Sequence, residues 1–247
     1  MPKSKYTGKY TDAFLTEDVS DYGSILKKNL DKRLEIKKNE AVYIYSFKDK
    51  KMVFSQGFES VLNKKDDEIN LKVLNGEYDE LSKIFVNEYH DRALLYLHQN
   101  NLKLTSFSSR VIVKCLSIKE PLSLKIQVFK TNKKGNLDSI IGRVIKNKNL
   151  RYSDIIQYSF DGDFEEEFLF QMNHQLDFDL CISSKEIKII ELIKSRKTYQ
   201  EIGHTIQYPT QKINDVIHIL LLRFSLKSES ELVKFAERKK LIPNQFE

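Results

Sequence analysis

The chain has 247 residues, a formal net charge of +6, 40% hydrophobic and 31% charged residues, and two cysteines. That balance excludes disordered, fibrous and disulfide-stapled classes and allows two folded domains. No apolar run reaches the ~18 residues of a membrane helix, and the opening MPKSKYTGKYTDAF lacks the apolar stretch of a secretory signal, so a cytoplasmic location is expected.

Residues 1–40 divide into a Lys-, Tyr- and Thr-rich arm and a helix. Ile25, Leu26, Leu30 and Leu34 recur at helical spacing, which predicts an amphipathic helix over Tyr22–Ile36. The period then changes. Ala41–Phe47 (AVYIYSF) and Met52–Ser55 (MVFS) flank a polar Lys48–Lys51 turn, as two strands of a hairpin would. Phe58–Leu62 is a helical turn, Asp67–Gly76 is ambiguous, and Asp79–His98 carries the apolar stripe of a long helix. Strand patterns return at Arg110–Leu116, Leu122–Phe129 and Ser139–Ile145, the last two joined by a hairpin at Asn132–Asn136. Strands, helices, then hairpin-linked strands describe an antiparallel α+β domain over residues 41–150.

This string resembles the PAS fold. The resemblance is carried by YIYSF and MVFSQGFESVLN, by the helix ending in YLHQN, and by IQVFKTNKKGNLDSIIGRV with its hairpin at KKGN. It implies a five-stranded antiparallel sheet and a sensor and dimerisation role, with an unidentified small molecule or protein as the signal. PAS relatives hold haem, flavin or nothing. The Asn-Cys-Arg motif of the flavin photosensors is missing, and Cys115 falls in a strand. His90 and His98, on the long helix, are read as ordinary helical histidines, so no cofactor is expected.

Residues 151–180 form an acidic and aromatic connector. Residues 161–179 hold seven acids and no Lys or Arg, between a +9 block (1–160) and a +4 block (180–247). Tyr152–Phe160 is either a short strand or a helix. Phe164, Phe168, Leu169, Phe170, Met172, Leu176 and Phe178 then interleave with acids. This stretch either packs back onto the preceding domain or forms a helical connector towards the C-terminal helices. Glu165, Glu166 and Glu167 are consecutive and point to different sides, as a solvated face would.

Residues 181–247 contain four short amphipathic segments. Ser183…Glu186, Thr198…Glu201 and Ser228…Glu231 have capping-box spacing, in which the hydroxyl and the Glu satisfy each other's backbone N–H. A tight break at Gln207-Tyr208-Pro209 precedes the segment Thr210–Phe224, as in a helix-turn-helix. Ile213, Ile217, Leu220 and Phe224 make its buried stripe, leaving Thr210, Gln211, Asn214, Asp215 and His218 outward.

The module resembles the LuxR-type helix-turn-helix of bacterial transcription regulators. The family's Leu-Thr-x-Arg-Glu-x-Glu-Val-Leu stands here as Ile182-Ser183-Ser184-Lys185-Glu186-Ile187-Lys188-Ile189-Ile190. Its Ser-Asn-Lys-Glu-Ile-Ala stands as Thr198-Tyr199-Gln200-Glu201-Ile202-Gly203, and its Thr-Val-Lys-x-His falls on Lys212-Ile213-Asn214-Asp215-Val216. The resemblance implies a homodimer that reads double-stranded DNA, with bases contacted from the positions of Asn214, Asp215 and His218. Asn suits adenine and Asp suits cytosine. Thr198, Tyr199 and Gln200 open the scaffold helix, where N–H groups and the dipole favour a phosphate. Thr210 and Gln211 complete the outward face, while Lys197, Lys212, Arg223 and Lys227 would add backbone contacts. Pro209, Lys212, Asn214 and Val216 depart from the family, which motivates an alternative: a signalling adaptor whose helix-turn-helix serves protein contacts.

The expected fold class is α+β: a PAS-like five-stranded sheet with helices, then an all-α four-helix domain. Cys115 and Cys181 are expected to be buried apolar residues. No four-ligand zinc cluster, phosphate-cradling glycine loop or nucleophile–base motif is visible, so neither metal nor enzyme activity is expected.

Overall fold

A computed structural model describes residues 36–99, 108–131, 137–146, 153–161, 168 and 180–243, without the side chains of 94, 95 and 97–99. The expected helix at Tyr22–Ile36, apart from its last residue, the hairpin tip at Asn132–Asn136 and nearly all of 162–179 lie outside that set. The chain divides into two compact units, residues 1–150 with 160–176 and residues 151–159 with 177–247.

In the first unit, β1 (Glu40–Ser46) pairs antiparallel with β2 (Lys51–Gln56) on one edge and with β5 (Leu137–Lys146) on the other. β5 pairs with β4 (Leu122–Thr131), and β4 with β3 (Ser108–Val113), giving the order β2-β1-β5-β4-β3. All of β1 is buried, because EAVYIYS is apolar on both faces. Its one carboxylate, Glu40, is held by Arg143 of β5 at 2.6 Å. Gly142 stands between Tyr43 and Ile126 in the ladder, and any Cβ there would lie 2.0 Å from Cζ of Tyr43. The Tyr43 ring therefore lies across β5 where a side chain would otherwise stand.

Helices α1 (Phe58–Leu62), α2 (Leu71–Gly76) and α3 (Glu80–Gln99) follow β2. Asp66, in a 3₁₀ turn, accepts from the backbone N–H of Gly57 (3.1 Å) and of Phe58 (2.7 Å), so it caps α1 from outside. Asp79 caps α3 by accepting from Ser82 N. That end of α3 is tied to the loop after β3: Asp79 N donates to Lys114 O, and Leu116 N donates to Glu77 O. The α3 stripe Ser82, Phe85, Val86, Tyr89, Ala93 and Tyr96 is buried. Phe168, from the acidic stretch, stacks on Phe160 with ring centroids 4.0 Å apart and lies beside Tyr89 and Tyr96.

The described residues hold seven strands, not five. The additional ones are β6 (Ile156–Asp161) and β7 (Cys181–Ser183), which pair in parallel from Ile156↔Cys181 to Tyr158↔Ser183. The C-terminal unit is therefore not all-α. Three residues are too few for β7 to show an alternating pattern. The stretch holding β6 had both strand and helix character. Strand β3 ends at Val113, three residues short of expectation, and Cys115 makes only an isolated bridge to Tyr78. Cys115 and Cys181 are buried and unbridged.

Four helices complete the second unit: α4 (Ser184–Lys194), α5 (Tyr199–Ile206), α6 (Thr210–Arg223) and α7 (Glu229–Arg238). Both halves of the capping box are present at Ser183/Glu186 and at Thr198/Glu201. The third is altered. Ser228 accepts from Glu231 N, but the Glu231 carboxylate reaches past Ser228 to Lys227 N at 2.8 Å. One core gathers Ile189, Ile202, Ile213 and Ile217; another gathers Ile182, Ile190, Leu220, Leu232 and Ala236 with Ile155. Burying a side chain of this size contributes roughly 1.5–3 kcal/mol, so these stripes, rather than propensity, hold the short helices. The half-buried Val216 and Leu221 touch both cores.

Candidate nucleic-acid interface

The turn between α5 and α6 sets the aim of α6. Gln207 adopts a left-handed conformation (φ 61°), and Tyr208 N donates to Gly203 O at 2.8 Å. Tyr208 O passes so close to Gly203 that an added Cβ would sit 2.5 Å from it. Only a residue without a side chain permits that approach. Pro209 occupies the N-cap position of α6 and supplies no side-chain bond. Its extended backbone starts the helix at Thr210 without a hydroxyl or carboxylate over the first turn.

Ile213, Ile217 and Leu220 of α6 are buried. On the opposite face Thr210, Gln211, Asn214, Asp215 and His218 are exposed, as their spacing of four and three residues requires. Within the described residues no side-chain hydrogen bond engages Thr210, Asn214 or His218. Gln211 Nε2 donates to Asp215 Oδ1 at 2.9 Å, which takes up part of the Asp215 carboxylate. The same face becomes apolar further along, where Ile219 is 49% and Leu222 66% exposed.

Lys212 is half-buried, and its Nζ lies 4.1 Å from the ring centroid of Tyr208. Lys185, at the start of α4, places its Nζ 4.7 Å from the same ring. The sequence marked Tyr208 only as part of the break. Its spacing of four from Lys212 was the available signal, whereas nothing local linked it to Lys185.

The residues opening α5 are partly committed. The Thr198 hydroxyl accepts from Glu201 N and donates to Glu201 Oε2, so it serves the cap. Tyr199 donates its phenol proton to Glu229 of α7, and that bond, ahead of burial, raises its pKa to about 12. Gln200 is exposed. Lys197 is paired with Glu201 at 2.9 Å. That pairing, with two bonds from Thr198, pulls the Glu201 pKa down to about 2. Lys227 is exposed beyond α6. Arg223 is not at the surface as expected for a backbone contact: its guanidinium turns inward to Glu186 at 3.1 Å and donates to Cys181 O at 3.2 Å.

The assembled surface is the outward, N-terminal half of one helix, with amide, carboxylate, imidazole and hydroxyl groups in a row and ammonium groups beside it. Such a row can hydrogen-bond the edges of bases in a groove wide enough for a helix.

No protein-family model matches the chain, and no curated protein matches it. Among solved structures, a phage VqmA–DPO complex is similar at 10% identity, over 91% of this chain and 94% of that one, with a TM-score of 0.34. VqmA bound to DPO is similar at 12% identity, over 90% of each chain, with a TM-score of 0.35. A Vibrio cholerae VqmA–ligand–DNA complex is similar at 12% identity, over 64% of this chain and 69% of that one, with a TM-score of 0.23.

Proposed function

We propose that the chain is a DNA-binding transcription regulator of the LuxR type, with α6 as the recognition helix. The first unit would serve as a PAS-like sensor and dimerisation domain. One observation carries the reading. The buried stripe of α6 is satisfied within its own unit, while Thr210, Gln211, Asn214, Asp215 and His218 stand exposed together beside a tight turn. In a helix-turn-helix this is the end that enters the major groove. Asn214, with its amide unengaged by the described residues, would pair bidentately with an adenine. Asp215, already bonded to Gln211, is the weaker base reader of the two. Thr198, Tyr199, Gln200 and Lys227 would lie along the phosphates. A homodimer would read two half-sites related by its two-fold axis.

A second reading is favoured by Ile219 and Leu222, the exposed apolar end of the same face. It makes the chain a signalling adaptor that uses α6 for protein contacts. The two readings separate in a selection of genomic duplex fragments by the purified chain. The regulator reading expects enrichment of a defined sequence, relaxed at one base pair by Asn214→Ala and weakened throughout by Lys212→Glu. Recovery of no enriched sequence would favour the adaptor.

A further inference from the structure

We propose that Glu229 restrains duplex affinity by competing for Tyr199. In the free chain its carboxylate holds the Tyr199 hydroxyl, and in the bound chain that hydroxyl turns to a backbone phosphate. The inference rests on the reading of α6 as a recognition helix, which puts the start of α5 along the phosphates. It adds Glu229 to that site as a residue that weakens binding.

Four neighbouring side chains at the start of α5 can donate a hydrogen bond: Lys197, Thr198, Tyr199 and Gln200. Two carboxylates hold three of them. Glu201 pairs with Lys197 at 2.9 Å and accepts from the Thr198 hydroxyl at 3.1 Å. Glu229, in the first turn of α7, accepts from the Tyr199 hydroxyl. The two differ in what else they do. Glu201 also accepts from Thr198 N at 2.8 Å, which closes the capping box of α5. Glu229 makes no second hydrogen bond or ion pair among the described residues. The start of α7 is capped without it, by Ser228 accepting from Glu231 N. Tyr199 is therefore the one group that the Glu229 carboxylate serves within this unit.

A phenol has one proton to donate. Carboxylate and phosphate are both ionised oxygen acceptors, and bonds to such groups are about twice as strong as neutral ones. Contacting a phosphate through Tyr199 thus requires giving up a bond of similar strength. The Tyr199 ring packs against the core of Ile189, Ile202, Ile213 and Ile217. The exchange is then a turn of the O–H about its C–O bond, with the ring left in place. The carboxylate stays ionised afterwards, because the start of a helix favours negative charge. It then repels the phosphate that took its partner. Glu229 weakens binding in both ways, and neither depends on base sequence. The restraint falls on every duplex alike and leaves discrimination to the outward face of α6.

The test measures the affinity of the full chain for a duplex fragment that the parent selects, at about 50 mM salt. Glu229→Ala should tighten binding about tenfold, the worth of one charge-assisted hydrogen bond. Glu229→Gln should tighten it less, because its amide oxygen still accepts from Tyr199. In a Tyr199→Phe background Glu229→Ala should gain only about threefold, from the lost repulsion alone. A carboxylate that merely ties α7 to α5 gives the opposite sign, a lower thermal midpoint together with weaker binding. Unchanged or weaker binding by Glu229→Gln, with a melt like the parent's, overturns the proposal. An equal gain from Glu229→Ala in the Tyr and Phe backgrounds overturns it too, since the hydroxyl then plays no part. Both results leave the recognition helix standing. If the parent binds no duplex at any salt, the recognition reading fails and the restraint with it.

Discussion

A half-buried guanidinium joins three segments of the second unit. Arg223, at the end of α6, meets Glu186 of α4 and the carbonyl of Cys181 in β7. Glu186 also closes the cap at Ser183, so one carboxylate serves a helix start and an ion pair. Removing the cation strands a buried charge, which costs about 3–5 kcal/mol. Arg223→Met should lower unfolding stability by about that much. Arg223→Met with Glu186→Gln should recover part of it, since Gln still completes the capping box. Urea denaturation of both variants measures the difference. Arg223 was legible in the sequence as a cation at a helix end, but its inward turn depends on Glu186, 37 positions earlier, and local spacing carries no such information. His90 offers a second test. Among the described residues its Nε2 is buried without a hydrogen-bond partner, and burial lowers its pKa to about 3. The folded chain thus keeps a neutral imidazole while the unfolded chain takes up a proton below about 6.5. Stability should therefore fall as pH drops from about 6.5 towards 3. Asp91 beside it has a pKa raised to about 6 by burial and by Glu88, and it shifts stability the other way between about 6 and 4. Comparing thermal melts of the parent and His90→Gln across that range isolates the imidazole. The gap between them should change steadily below pH 6.5 and stay constant above it.

At the scale of elements, helix starts were the most legible feature of the second unit. Ser183/Glu186 and Thr198/Glu201 are complete capping boxes because both partners lie within one turn. The α6 face was legible for the same reason: a 3.6-residue period needs no tertiary information. The turn before α6 was located from Gln207-Tyr208-Pro209, but the reason for Gly203 was hidden. It appears only when Tyr208 O is seen against it. Gly203→Ala should push the turn away and tilt α6, at a cost of about 1–3 kcal/mol from overpacking. The expected outcome is a lower thermal midpoint together with a loss of duplex affinity larger than Asn214→Ala produces. An unchanged midpoint would show that the close approach is not required. Strands β6 and β7 were the least legible elements. Their parallel pairing joins segments about 25 residues apart, which no local spacing reveals.

At the scale of the whole chain, the order of elements in the first unit could be read because hairpin neighbours are also chain neighbours: β1 with β2, and β4 with β5. The pairing of β1 with β5, from Glu40↔Ile145 to Ser46↔Ser139, spans nearly 100 residues, and no local spacing marks it. The proposed function rests on the second unit, where the exposed N-terminal half of α6 would read duplex DNA. The most direct test is fluorescence anisotropy of labelled genomic duplex fragments titrated with the purified chain. Saturable binding is expected at about 50 mM salt, weakening steeply by about 200 mM. Asn214→Ala should weaken binding to the preferred fragment while leaving the thermal melt unchanged. A chain that melts cooperatively yet leaves the anisotropy of every fragment unchanged at low salt would contradict a DNA-reading role for α6.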